Sequence, residues 1–425
     1  MEPEELKRKL MGLWEKTTHI PKDLLSSLFD FYFNTDYIEY KEIEGKVVCA
    51  LIGIPYTFKS GSKKLNGMYM VSLSSEEGFR KKGILSELLS TFNDRIKSEF
   101  DFTFIIPATE LLADYYGTQG YINSFFVIEE RFTPLHNFKN DYYLSLTDSD
   151  ERIRQLKELL FEQIEVIKNK EEEIFDKDKV ISFIREIEKK STSSVSLCHT
   201  QKDLEYILDH ETIPNLDYFI SHDSDDRITG VTFFHKDEMK RISIVATYVD
   251  NTASYYALLN SIKKSYPEYS ISIYTSDPKF QVHSIIQQTY ASTNIAGGDL
   301  DTNIETIEIP FNINKLMQPI GMIKLLRFEK ILNFIAETRS DVNFKLHLRN
   351  TQDKKEEVSD MIVYIVKNGK LNIVKTPNIS TDSNILNLTE KEFSELLLRK
   401  NDSSNLIMEA FGIPRLNLQI KLLPY

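Results

Sequence analysis

"SLSSEEGFRKKGILSELL", residues 72–89, decides how the first third of the chain is read. Arg80, Lys81 and Lys82 stand in a row, Gly83 follows, and an apolar pattern starts at once. Ile84, Leu85, Leu88, Leu89, Phe92 and Ile96 recur at helical spacing and predict a helix with one buried stripe. A helix entrance presents unpaired N–H groups and the positive end of its dipole, which suits a phosphate. Gly83 lets a ligand approach the backbone with no Cβ in the way. The three cations add charge at the same point. The strand-like "MYMVSLSS" ahead of the loop ends through Val71, Ser72 and Leu73, whose backbone can pair with an amide-bearing ligand. Coenzyme A carries both a pyrophosphate and a pantetheine arm with two amides. Strand, basic glycine loop and apolar helix together fit acyl-CoA binding.

The rest of the composition sets this loop against its background. The chain has 425 residues, and at roughly 100–200 residues per domain two to four domains are expected. Hydrophobic residues make up 41 %, enough to build cores. The 52 basic and 64 acidic residues leave a net charge of −12, which argues against a nucleic-acid backbone as partner. It is compatible with a cationic substrate such as an amine, and also with simple solubility. Cys49 and Cys198 stand far apart without a CxxC, so neither a disulfide framework nor a thiolate zinc site is expected. The eight histidines show no metal spacing, and no metal is called for. The N-terminus is charged and amphipathic, and no window has the roughly 18 apolar residues of a membrane span. A cytoplasmic protein is expected.

Strands and helices alternate around the loop. Two strands with a turn at Glu44-Gly45 precede it, with a hairpin loop read at "SGSKKLNG". A strand "FDFTFIIPA", a short helix and "YINSFFVIEERF" follow, which implies a mixed α/β sheet. A second unit is read from about 145, opening on a long charged helix through "DERIRQLKELLFEQIEVIKNKEEEI". From "LDYFISHD" to "YSISIYTS" it repeats the strand–strand–strand–helix–strand order. Asp250-Asn251-Thr252 stands there in place of a basic loop, so no CoA is expected at that helix. "NIAGGDLDTN" is read as a joint near 300, "IGMIKLLRFEKILNFIAE" as a helix, Asn368-Gly369 as a hairpin turn and Thr389 with Glu392 as a capped helix start.

Arg80-Lys81-Lys82-Gly83-Ile84-Leu85 resembles the acyl-CoA signature of the GNAT acetyltransferases, with Leu85 where the family has a small residue. The run of three cations before Gly-apolar-Leu is similar to the enhanced intracellular survival (Eis) type. So is Tyr116-Gly117-Thr118-Gln119-Gly120-Tyr121, after the next strand. The resemblance implies tandem GNAT-like mixed-sheet domains followed by a sterol-carrier-protein-like α/β domain, with boundaries at residues 1–140, 141–302 and 303–425. It implies acetyl-CoA as co-substrate, bound by Val71, Ser72, Leu73, Arg80, Lys81, Lys82, Gly83 and Ile84, and a small-molecule or peptide amine as acceptor. Tyr116 matches the general acid, with Tyr115 as the competing candidate, and the C-terminal carboxylate of Tyr425 matches the proton acceptor. A homo-oligomer, a hexamer in this family, is implied as well. Two other readings stand beside the enzyme: a non-catalytic acyl-CoA or lipid-binding protein and an assembly protein.

Overall fold

The computed structural model describes residues 1–18, 22–138, 165–168, 176–190, 195–209, 216–275, 284–296, 299–310, 316–349, 361–376, 385–398, 413–414, 416 and 418–420. The chain divides into two compact units. The first comprises Met1–Phe126, Glu188–Lys202 and Pro319–Ile420, and the second the described residues of Val127–Ile187 and Asp203–Gln318.

The first unit begins with helices α1 (Pro3–Thr17) and α2 (Lys22–Tyr32). Strands β1 (Ile38–Ile43), β2 (Lys46–Ser60) and β3 (Lys63–Ser75) then form an antiparallel meander. Glu44 and Gly45 both take positive φ, 51° and 79°, as a two-residue hairpin turn requires. The hairpin loop read over eight residues is shorter than its composition suggested. β2 runs to Ser60 and β3 starts at Lys63, because Lys59↔Lys64 and Ser60↔Lys63 still pair.

Helix α3 (Ile84–Ile96) follows, then β4 (Phe102–Ile105), α4 (Glu110–Thr118) and β5 (Ile122–Phe132). Leu88, Leu89, Phe92 and Ile96 are buried, which is the stripe read from the sequence. Each such side chain contributes about 1.5–3 kcal/mol by leaving water. The helix seats closely because β2 carries Gly53 beneath it. A Cβ there would lie 2.8 Å from Phe92 Cζ and 2.5 Å from Met68 Sδ.

β4 is parallel to β3, joined at Gly67↔Phe102, Met68↔Thr103 and Tyr69↔Phe104. On its other side β4 takes an antiparallel partner at Met322–Leu325. That segment corrects the helix read from "IGMIKLLRFEKILNFIAE": Leu316–Leu325 is a strand, and the helix is only Phe328–Thr338. Met322, Ile323 and Leu325 are all buried, and a short run buried on both faces carries no period that separates strand from helix. A four-stranded sheet completes the unit, ordered Lys370–Thr376, Met361–Lys367, Phe344–Arg349, Ile385–Thr389. Asn368 and Gly369 make its turn with φ of 51° and 76°. Thr389 and Glu392 cap the helix Glu390–Leu398 reciprocally, at 2.7 Å from the Thr389 amide to Glu392 and 3.2 Å from the Glu392 amide to Thr389.

The second unit has the same order of elements. Leu216–His222, Ile228–Lys236 and Arg241–Val249 run antiparallel, the helix Thr252–Ser265 follows, and Ser270–Thr275 returns parallel to Arg241–Val249. Two expectations change here. Glu165–Lys168, inside the stretch read as a long helix, is a strand paired with Phe219–His222; the remainder of that stretch lies outside the described residues. The region read as a joint near 300 is the end of a long hairpin, Ser284–Ala296 against Asp299–Pro310.

Candidate functional site

The loop from Glu76 to Gly83 connects β3 to α3. A 3-10 turn at Glu77–Phe79 brings the chain round, and Lys81 and Gly83 both take positive φ, 60° and 79°. Gly83 occupies the position just ahead of the first turn of α3. It offers no side-chain hydrogen bond to the helix entrance, and a Cβ built on it would meet nothing within 4 Å. The entrance is therefore uncapped and open, and Arg80, Lys81, Lys82 and Gly83 are all exposed. Arg80 is partly committed, its Nε donating to the Ser75 carbonyl at 3.1 Å. Lys82 Nζ stands 4.9 Å from the centre of the Phe79 ring. Glu76, in the same loop, is engaged by an ion pair with Lys46.

β3 outruns its parallel partner. The pairing with β4 stops at Tyr69↔Phe104, whereas β3 continues to Ser75 on the support of β2. Among the described residues no strand pairs with that edge of β3 beyond Tyr69. Within this stretch β3 has a bulge. Ser72 and Leu73 together stand opposite the single residue Leu51, between the pairs Ala50↔Ser74 and Ile52↔Val71. Ser72 takes φ 52°, which costs a residue with a Cβ about 1–2 kcal/mol. Its carbonyl accepts from Trp14 Nε1 at 2.5 Å, and its hydroxyl is buried with no partner among the described residues.

Tyr116 and Tyr115 differ in environment. Both rings lie on α4, with centroids 5.2 Å apart. Tyr116 is 4 % exposed and packs in a cluster with Met68 and Met70 of β3, Leu88 of α3 and Tyr121; Leu73, Ile84 and Leu85 lean on the same cluster. Burial pushes its phenol well above the usual range, with smaller contributions from Tyr115 and Tyr121, so it holds its proton at neutral pH. Leu85 thus spends its side chain on the core. Tyr115 is half-buried and its hydroxyl meets Ser86 Oγ in α3 at 3.0 Å. The turn after Tyr116 is fixed by Gly120 (φ 86°) and by Lys324 Nζ, which donates to the Gln119 carbonyl at 2.9 Å.

The structure therefore brings Leu73, Ile84 and Tyr116 into one cluster, with Val71 and Ser72 on the adjoining strand and Arg80–Gly83 at the mouth of α3. Tyr425 lies outside the described residues. Two participants in this geometry had no sequence signal: Trp14, 58 residues away along the chain from Ser72, and Ser86. Cys49 is buried and bonded to Ser75 Oγ at 3.1 Å; burial pushes its thiol up, away from a nucleophile's range.

The corresponding entrance in the second unit is closed. Asn251 Oδ1 accepts from the Ser254 amide at 2.8 Å, and Asp250 beside it pairs with Arg227 at 3.2 Å.

No protein-family model and no curated protein matches the sequence. Solved structures do. A GCN5-related N-acetyltransferase from Anabaena variabilis superposes with TM-score 0.63 at 11 % identity, covering 99 % of this chain and 98 % of that one. A protein from Enterococcus faecalis described as a probable N-acyltransferase gives 0.61 at 12 %, covering 96 % and 91 %. Eis1 from Mycobacterium abscessus gives 0.59 at 9 %, covering 97 % and 91 %. The chain has the fold of the GCN5-related N-acetyltransferases. Among the described residues no helix is long and apolar enough to cross a membrane.

Proposed function

We propose that the chain is an acyltransferase that moves an acyl group, acetyl in the simplest case, from coenzyme A to an amine. The observation that carries this reading is the uncapped, cation-flanked entrance of α3, whose first residue packs on the same cluster as Tyr116. The donor set fits the coenzyme. The free N–H groups at Gly83 and beyond, with Lys81 and Lys82, suit a pyrophosphate. The edge of β3 beyond Tyr69 suits the two amides of the pantetheine arm.

In this reading the amine nitrogen attacks the thioester carbon directly, within a ternary complex. The C–N bond forms, the C–S bond breaks, and Tyr116 gives its proton to the departing sulfur. The ammonium proton released from the new amide balances it, and the carboxylate of Tyr425 is assigned as acceptor. Residues 1–140 would form the catalytic domain, 141–302 a repeat that binds no CoA, and 303–425 a sterol-carrier-like unit. A protein that binds acyl-CoA without turnover would need the loop but no proton donor on α4. CoA release from acetyl-CoA, assayed against polyamines, aminoglycosides and lysine peptides, tests the proposal. Saturable acetyl-CoA binding with no release under any acceptor would favour the binding protein.

A further inference from the structure

We propose that Trp14 is a positioning residue for the acyl group, acting through the Ser72–Leu73 peptide. This rests on the acyl-CoA reading and extends it to a residue far from the loop. Trp14 is wholly buried on the inner face of α1, beside Phe29 at 5.1 Å, and its indole N–H is spent on one acceptor, the Ser72 carbonyl. That acceptor sits at the bulge of β3, where Ser72 holds a backbone conformation more natural to glycine. A trans peptide is planar, with C=O and N–H pointing opposite ways. Holding the Ser72 carbonyl toward α1 therefore aims the Leu73 N–H away from α1. The side chain of Leu73 leans on the Tyr116 cluster.

Two independent features at Ser72 suit an acyl thioester. One is the fixed peptide, whose N–H is a donor set in place before the carbonyl oxygen gains charge. The other is the buried Ser72 hydroxyl, unpartnered among the described residues. Trp14 touches neither the thioester nor the amine in this account. It prevents the peptide from rotating to the relaxed conformation an ordinary strand would adopt.

The chain contains one tryptophan, so indole emission reports on this position alone. The test has three parts: emission of the wild-type protein during titration with acetyl-CoA; acetyl-CoA affinity and CoA release for Trp14→Phe; and the same for Trp14 replaced by 3-benzothienylalanine, which keeps the shape and puts sulfur where the N–H was. The wild-type emission should shift on saturation. Turnover should fall roughly 10- to 100-fold in both folded variants, with acetyl-CoA affinity nearly unchanged, as expected when a group is misplaced without loss of binding. Equal turnover in a folded benzothienyl protein overturns the role of the N–H, and so does a parallel loss of affinity and turnover, which would mark plain structural damage. Absence of acetyl-CoA binding by the wild-type protein overturns the acyl-CoA reading together with this proposal, whereas normal wild-type turnover with unaffected variants overturns this proposal alone.

Discussion

The Tyr115 hydroxyl lies 3.0 Å from Ser86 Oγ, while its neighbour Tyr116 is turned into the cluster beneath β3 and α3. Successive residues on a helix point about 100° apart, so one ring braces α4 against α3 and the other faces the inner cluster. The two tyrosines therefore make opposite predictions. Tyr116→Phe should lower CoA release by about 10²–10⁴-fold with little change in acetyl-CoA affinity. Tyr115→Phe should lose only a hydrogen bond, about 0.5–1.5 kcal/mol of stability, and keep most of its turnover. Steady-state kinetics with calorimetric affinities check both, and reversed behaviour would move the acid to Tyr115.

The loop, the helix stripe and the Tyr116 motif were legible because each is local. Three cations before a glycine, or apolar residues at helical spacing, need no knowledge of the rest of the chain. The strand Leu316–Leu325 was not legible. It lies between two strands, is buried on both faces over Gly321–Ile323 and again at Leu325, and presents the alternation of neither a surface strand nor an amphipathic helix. Glu165–Lys168 was hidden for a related reason, being four residues long and set among charged, helix-favouring neighbours. Trp14 was invisible as a partner of Ser72, since that contact exists only once α1 packs on the sheet.

The conformation of Gly83 separates folding from binding. Gly83→Ala places a Cβ in open space and costs only the strain of φ 79°, about 1–2 kcal/mol. Gly83→Asp adds a negative charge at the uncapped entrance as well. Isothermal titration should show weakened acetyl-CoA binding for the alanine variant, whose Cβ stands where the ligand approaches the backbone, and lost binding for the aspartate variant. A stoichiometry of two per chain in the wild-type protein, or tight binding by Gly83→Asp, would remove the loop from the site.

Asn251 caps its helix with a side-chain oxygen, which Gly83 at the corresponding position of α3 cannot do. Asn251→Ala removes the bond to the Ser254 amide and should cost about 1 kcal/mol in chemical denaturation, the usual value of such a cap. Acetyl-CoA affinity should not change. A loss of affinity on this substitution would place a ligand at the second helix entrance.

Burial raises the Tyr116 phenol above its unfolded value near 10. A group with a raised folded pKa contributes its stabilisation fully below the unfolded value and loses it as pH climbs beyond. Wild-type stability in urea should therefore decline between about pH 9 and 11, and Tyr116→Phe should decline less steeply over the same interval. Identical slopes would mean that the phenol ionises as freely in the folded protein as in the unfolded chain.

The parting of β3 from β4 after Tyr69 makes the sheet unfinished in a particular sense. On the acyl-CoA reading, the pantetheine arm supplies the missing neighbour, so the coenzyme is a piece of secondary structure delivered from outside. Whatever completes a sheet also shares in its stability, by the ordinary mass action of a ligand that binds only the folded form. Amide exchange along Met70–Ser75, and resistance to proteases, would then follow the concentration of acyl-CoA around the molecule. The lifetime of the protein in a cell would be set in part by its own substrate, independently of how fast that substrate is consumed.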